Sequence, residues 1–141
     1  MGVGDIERAD LPQLARLFEA LSGLPTPLAR LETAFAGMAA HPDYHLVGVR
    51  DGSFLAGAAL GIVCLDCVGG CRPFLVVENL IVAETHRRRG VGRRLLGELE
   101  RRGRERDCFY VMLVSGRDRG PAHAFYAAMG YGAGAGFKKR L

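Results

Sequence analysis

From residue 87 to 93 the chain reads Arg-Arg-Arg-Gly-Val-Gly-Arg, two glycines one residue apart inside a cluster of guanidinium groups. Glycine lets a turn approach a ligand that a Cβ would hold off. At the start of a helix such a turn points several N–H groups outward, and the helix dipole adds positive potential, so phosphate oxygens are its natural guest. Two better-defined phosphate motifs are excluded. The nucleotide P-loop needs Gly-x4-Gly-Lys-Ser/Thr, and the dinucleotide fingerprint needs a third glycine where Leu95 or its neighbours stand. The window 87–106 holds nine arginines against Glu98, Glu100 and Glu105, so it carries +6 while the whole chain carries only +4. The basic character is therefore local and suggests an anionic partner. A compositional bias toward Arg, Gly and Ala would also produce it. A nucleic-acid surface is disfavoured, because the polar face of the following helix mixes Arg with Glu and no aromatic residues interleave.

Upstream, Glu78 interrupts an apolar run, Phe74 to Val82. A carboxylate there is costly unless paired, hydrated or functional, and burial would raise its pKa toward the range of a base. A structural ion pair with an arginine is the alternative. Strict strand alternation sends Asn79 to the opposite face, so only one of the two would line an adjacent cleft. Cys64, Cys67 and Cys71 cluster three thiols, but Cys108 is distant and no His lies beside them. A structural zinc site wants four ligands, so no metal and no disulfide is expected.

The elements that must position these residues are legible in the apolar spacing. Asp10-Leu11-Pro12 looks like an N-cap followed by a first-turn proline, and Leu11, Leu14, Phe18 and Leu21 recur at helical spacing. Thr26-Pro27 repeats the start signal, with Leu28, Leu31, Phe35 and Met38 as the stripe. Val3 to Arg8 is a candidate opening strand. Tyr44 to Arg50, then Asp51-Gly52, then Phe54 to Leu65 read as a hairpin whose second strand, apolar on both faces, belongs inside a covered sheet. Pro73 to Val82 completes a three-strand antiparallel meander. The helix with Val91, Leu95, Leu96 and Leu99 on one face, the short strand Phe109 to Val114 and the helix Pro121 to Met129 then form a crossover. It lays the strand at 109 parallel to the strand at 73. Gly132 to Leu141 is expected as a short edge strand. With 141 residues, about half of them apolar, one domain over 1–141 is expected.

Glu78-Asn79-Leu80-Ile81-Val82, then Arg87-x-x-Gly90-x-Gly92, then Ala122-His123-Ala124-Phe125-Tyr126-Ala127-Ala128-Met129-Gly130-Tyr131 resembles the GNAT superfamily of N-acetyltransferases. The family hallmark Q/R-x-x-G-x-G/A is followed about 35 residues later by an F/L-Y-x-x-x-G-F/Y element, and the resemblance spans almost the whole chain. It implies an α+β fold: a mixed, mostly antiparallel sheet with one splayed parallel pair, flanked by helices on both faces. It implies acetyl-CoA as co-substrate and an amine as acceptor. The N–H groups of Arg87, Arg88, Arg89, Gly90, Val91, Gly92 and Arg93 would hold the pyrophosphate. The strand segment Leu80, Ile81 and Val82 would line the pantetheine arm, with Leu80 and Val82 pairing to it as to another strand.

Tyr126 matches the family tyrosine that approaches the CoA sulfur, and a phenol of pKa about 10 is a sensible proton donor to a thiolate. The plain alternative, a core aromatic, better describes Phe125. Glu78 is the candidate base, and a backbone N–H near Leu80 the candidate for stabilising the carbonyl oxygen. Ser115 to Arg119 with His123, Phe125 and Tyr126 resembles a subgroup that includes aminoalkylphosphonate N-acetyltransferases. That likeness implies a small amine whose acidic group would meet Arg117 or Arg119. His123 reads as a surface residue or a secondary base. The sequence departs from the family pattern at Arg88, where glycine is common, and at Ala83.

Other readings are a catalytically inactive CoA-binding regulatory module and a transferase for protein or peptide amines. No apolar run reaches the roughly 20 residues a spanning helix needs, and the first residues lack a secretory pattern, so a cytoplasmic protein is expected. The acceptor pocket is expected from the loops 22–26 and 66–72 and the final strand. A homodimer would cover that strand's edge.

Overall fold

The computed structural model of the chain describes residues 1–115 and 119–141. The two leucine-rich stripes near the start fold as α1 (Leu11–Ser22) and α2 (Leu28–Ala39), after a short strand β1 (Gly2–Asp5). The hairpin follows as β2 (Tyr44–Asp51) and β3 (Phe54–Cys64), then β4 (Phe74–Val82), α3 (Val91–Glu105), β5 (Val111–Leu113) and α4 (Gly120–Ala128). The sheet order is β1-β2-β3-β4-β5. The first three neighbouring pairs are antiparallel and β4/β5 is parallel, as the α3 crossover requires.

Apolar layers cover both sheet faces. On one, Val91, Leu95, Leu96 and Leu99 of α3 pack on Val47, Val49, Leu75 and Val77. On the other, Leu11, Leu14 and Leu17 of α1 pack on Ile6, Leu55 and Ala58. β3 lies in the middle of the sheet and is buried over most of its length, consistent with its apolar character on both faces.

Two expectations are corrected. Gly132 to Leu141 forms no strand; the segment is exposed and irregular, with Phe137 93% accessible. Glycine at alternate positions from 132 to 136 costs backbone entropy that no apolar contact offsets, so the sheet edge among the described residues is β5. Asp10 stands at the N-cap position of α1 as expected, but its side chain makes no cap hydrogen bond there. Its carboxylate accepts the Glu7 N–H at 2.7 Å and pairs with the Arg50 guanidinium, joining β2 to the start of α1. Burial would raise its pKa, but Arg50 and the Glu7 N–H together hold it below the ordinary value.

A second ion-pair network ties α3 to β1. Glu98 accepts from Arg101 Nε at 2.9 Å and from Arg102 Nε at 2.8 Å, and Arg102 reaches Asp5 at 2.6 Å. The hydrogen bonds from Arg101, then the one from Arg102, bring the Glu98 pKa down from 4.5 to about 2. A depressed carboxylate contributes stability that is present above its unfolded pKa and lost as pH falls through the folded one. Stability should therefore decline between pH 4.5 and about 2 as Glu98 takes up its proton. Glu98→Gln should flatten that decline, checked by denaturant midpoints across the pH range.

Candidate active site

The cleft begins where two strands part. β5 pairs with β4 at Leu75, Val76 and Val77 only, whereas β4 continues to Val82. Beyond Val77, the β5 side of β4 carries no strand among the described residues. At the same level β4 is bulged. Ala58 of β3 faces Ile81 and Leu60 faces Glu78, so three steps on β4 span two on β3, and Asn79 adopts φ +55°. An extra residue flips the side-chain alternation. Leu75 and Val77 belong to the α3 layer, and past the bulge Leu80 and Val82 pack there too, while Ile81 turns to the α1 layer.

Glu78 and Asn79, at the bulge, are both exposed. The burial expected of Glu78 is absent. Among the described residues, no arginine, lysine or histidine lies within ion-pair distance of Glu78.

The glycine turn follows directly. A single turn of 3-10 helix, Glu84–His86, leads to Arg88 at φ +60° and Gly90 at φ +81°, and α3 starts at Val91. At the head of α3 the first backbone donor with an intrachain backbone acceptor is Arg94, whose N–H meets Gly90 O at 3.1 Å. The preceding N–H groups of Val91, Gly92 and Arg93 are the unpaired donors that every helix start leaves. The arginines divide sharply. Arg101, Arg102, Arg104 and Arg106, toward the end of α3 and just past it, are paired with Glu98 and Glu105, Glu98 and Asp5, Glu100, and Asp43. Arg89 lies 3.6 Å from Asp51. Arg87, Arg88 and Arg93 have no carboxylate within 4.0 Å among the described residues. The positive charge left over is therefore concentrated at the turn.

Helix α4 is docked onto this turn. A Cβ on Gly92 would sit 3.3 Å from the Phe125 ring, so the missing side chain is what lets Phe125 pack at the head of α3. Behind it, the Tyr131 hydroxyl donates to Glu100 at 2.8 Å and the Tyr131 N–H to Tyr126 O at 3.0 Å, anchoring the end of α4 to α3. Tyr126 is half-buried between them, its ring 5.3 Å from Phe125 and 6.0 Å from Tyr131. Burial pushes its phenol pKa up, opposed by the Arg119 charge, so it stays protonated at neutral pH. Arg119 reaches back to the Leu21 carbonyl at the end of α1, at 3.4 Å. His123 is exposed. Arg117 lies outside the described residues, so the acidic-group reading rests on Arg119 alone here.

On the α1 face a groove of about 300 Å³ runs beside the end of β4, with Arg16, Leu17, Phe54, Ile81, Thr85 and Arg87 among its walls. None of the loops expected to form the acceptor pocket lines it. The anchoring roles of Gly92, Phe125 and Tyr131 carry no local sequence signal apart from the Met129-Gly130-Tyr131 helix stop, which marks the last of them. Among the described residues no group of three or more His, Cys, Asp or Glu side chains could hold a metal ion, and all four cysteines are free thiols.

The sequence model described as the acetyltransferase (GNAT) family matches residues 11–131, most of the chain and both glycine-bearing elements. The chain belongs to the GNAT acetyltransferase family. Solved structures agree on the fold of this GNAT protein. A protein assigned as an acetyltransferase from Agrobacterium tumefaciens str. C58 matches it with TM-score 0.92 at 25% identity over 100% of both chains. A transcriptional regulator from Bacillus halodurans C-125 matches with TM-score 0.92 at 19% identity over 99% of each chain. Glucosamine-6-phosphate N-acetyltransferase from Arabidopsis thaliana gives 0.88 at 13% identity, over 99% of this chain and 97% of that one. No curated protein matches. Membership implies acyl transfer from acetyl-CoA, and among the described residues no helix is long and apolar enough to cross a membrane.

Proposed function

We propose that this GNAT protein transfers the acetyl group of acetyl-CoA directly to the primary amine of a small molecule. The observation that carries the reading is the turn at the head of α3. Backbone donors and the guanidinium groups of Arg87, Arg88 and Arg93, which meet no carboxylate among the described residues, come together there, beside the gap between β4 and β5. The pyrophosphate is held by the turn from Arg87 to Arg93, and the pantetheine arm follows Leu80, Ile81 and Val82 into the gap.

The chemistry needs a neutral amine, a polarised carbonyl and a protonated leaving group. The amine nitrogen bonds to the acetyl carbon and the C–S bond breaks. Tyr126 gives its phenolic proton to the departing thiolate. Glu78, exposed at the bulge, takes the amine proton through water, and a backbone N–H near Leu80 supports the carbonyl oxygen.

Thiol release from acetyl-CoA, measured against a panel of small primary amines with and without acidic groups, tests this. Turnover with at least one small amine is the expected result. CoA protection without turnover on any amine would establish a binding module instead, and turnover only on peptide amines would move the acceptor to proteins.

A further inference from the structure

The phosphate-binding turn does not stand alone. His86, the last residue of the 3-10 turn before it, is held on three sides. Its Nε2 lies 3.1 Å from the Asp51 carboxylate, its Nδ1 lies 2.9 Å from the Thr85 hydroxyl, and its ring stacks on Phe54 with centroids 5.0 Å apart and planes 20° apart. With the proton on Nε2, Asp51 accepts from the ring and Nδ1 accepts from Thr85, so both nitrogens are satisfied. The His86 side chain is only 11% exposed. Asp51 and Phe54 are opposite each other across the β2–β3 hairpin turn. The tip of that hairpin is itself pinned: the Gln13 side chain of α1 donates to Ser53 O at 3.0 Å and accepts the Leu55 N–H at 2.9 Å. The same Asp51 oxygen also lies 3.6 Å from Arg89, which draws that one guanidinium of the triplet Arg87–Arg89 toward the hairpin.

We infer that Asp51 and His86 are positioning residues for the donor site: through them the β2–β3 hairpin holds the backbone of the phosphate-binding turn in its binding conformation. The inference rests on the proposed acetyl-CoA reading. A turn that holds a non-glycine residue, Arg88, at φ +60° two positions before Gly90 is costly to hold by itself. An anchor just before it removes alternatives that would otherwise have to be excluded at the moment of binding, which is how preorganisation raises affinity. Neither residue touches the reacting atoms in this arrangement, so the effect falls on phosphate binding and not on the chemical step.

The test compares Asp51→Ala, Asp51→Asn, His86→Phe and the double variant Asp51→Ala/His86→Phe. Binding is measured calorimetrically with CoA and with acetyl-pantetheine, which lacks the pyrophosphate, and unliganded melting is followed alongside. Asp51→Ala and His86→Phe should each weaken CoA by about tenfold, the worth of a charge-assisted hydrogen bond, and leave acetyl-pantetheine unchanged. The double variant should be no weaker than Asp51→Ala alone, because that variant has already removed the His86 link. Asp51→Asn keeps an oxygen that can accept from His86 and should recover most of the loss. KM for acetyl-CoA should rise with kcat unchanged. Unaltered CoA affinity in Asp51→Ala, or equal weakening of CoA and acetyl-pantetheine, overturns the inference while the acetyl-CoA reading stands. Failure of the wild-type chain to bind CoA overturns that reading and this inference with it.

Discussion

Gly90→Glu should abolish CoA binding and leave the protein folded. Gly90 sits at φ +81°, and a Cβ there would meet no atom within 4 Å, so the substitution brings backbone strain but no clash. That strain is about 1–2 kcal/mol, and a glutamate at the head of a helix is partly compensated by the dipole, so the fold should survive. The ligand meets a different situation. A carboxylate about 4 Å from a phosphate, at an effective dielectric of about 20, is repelled by about 4 kcal/mol, more than a hundredfold in affinity. Gly90→Ala separates the two effects, since it carries the strain without the charge and should lose far less. Thermal shift and calorimetric titration with CoA provide the measurement, and an unchanged affinity in Gly90→Glu would remove the turn from the donor site.

Tyr126→Phe should lower kcat by about 10²- to 10⁴-fold, the range expected for loss of a positioned acid, with little change in CoA affinity. The ring is what packs against Phe125 and Tyr131, and phenylalanine keeps it, so stability should be nearly preserved. The pH profile supplies a second readout. Burial raises the phenol pKa above its ordinary 10, so the wild-type rate should hold through neutral pH and fall only in the alkaline range as the phenol ionises. The variant should lack that alkaline limb. An unaffected rate in Tyr126→Phe excludes the phenol as the acid and leaves water to protonate the thiolate.

The two predictions draw on the parts of the site most visible in the chain itself. Gly90 and Gly92 announce the turn because glycine takes the left-handed dihedral at 90 without strain and leaves room for Phe125 at 92, and the first of those demands is local. Tyr126 is placed by the spacing of its helix and by the Gly130-Tyr131 stop that ends it. Glu78 shows the opposite case. Its strand was evident, but the bulge at Asn79 depends on how β4 registers against β3, and that register breaks the strict alternation the strand alone would give. Asp10 is similar, since a side chain with the right type and position for a helix cap is taken instead by Arg50, forty residues away.

The amino-acid sequence by itself determined the helices, the meander, the crossover and the glycine turn, because apolar periodicity and backbone permissiveness act over a few residues. It also showed that nine arginines crowd one segment. Which of them remain free was decided only by the tertiary structure. Arg102 finds Asp5 and Arg106 finds Asp43 from the far end of the chain, while Asp51 draws Arg89 toward the hairpin. Ion pairing depends on separations of a few ångströms between residues distant in sequence, so the field at the phosphate turn emerges only once the sheet has brought those carboxylates to α3.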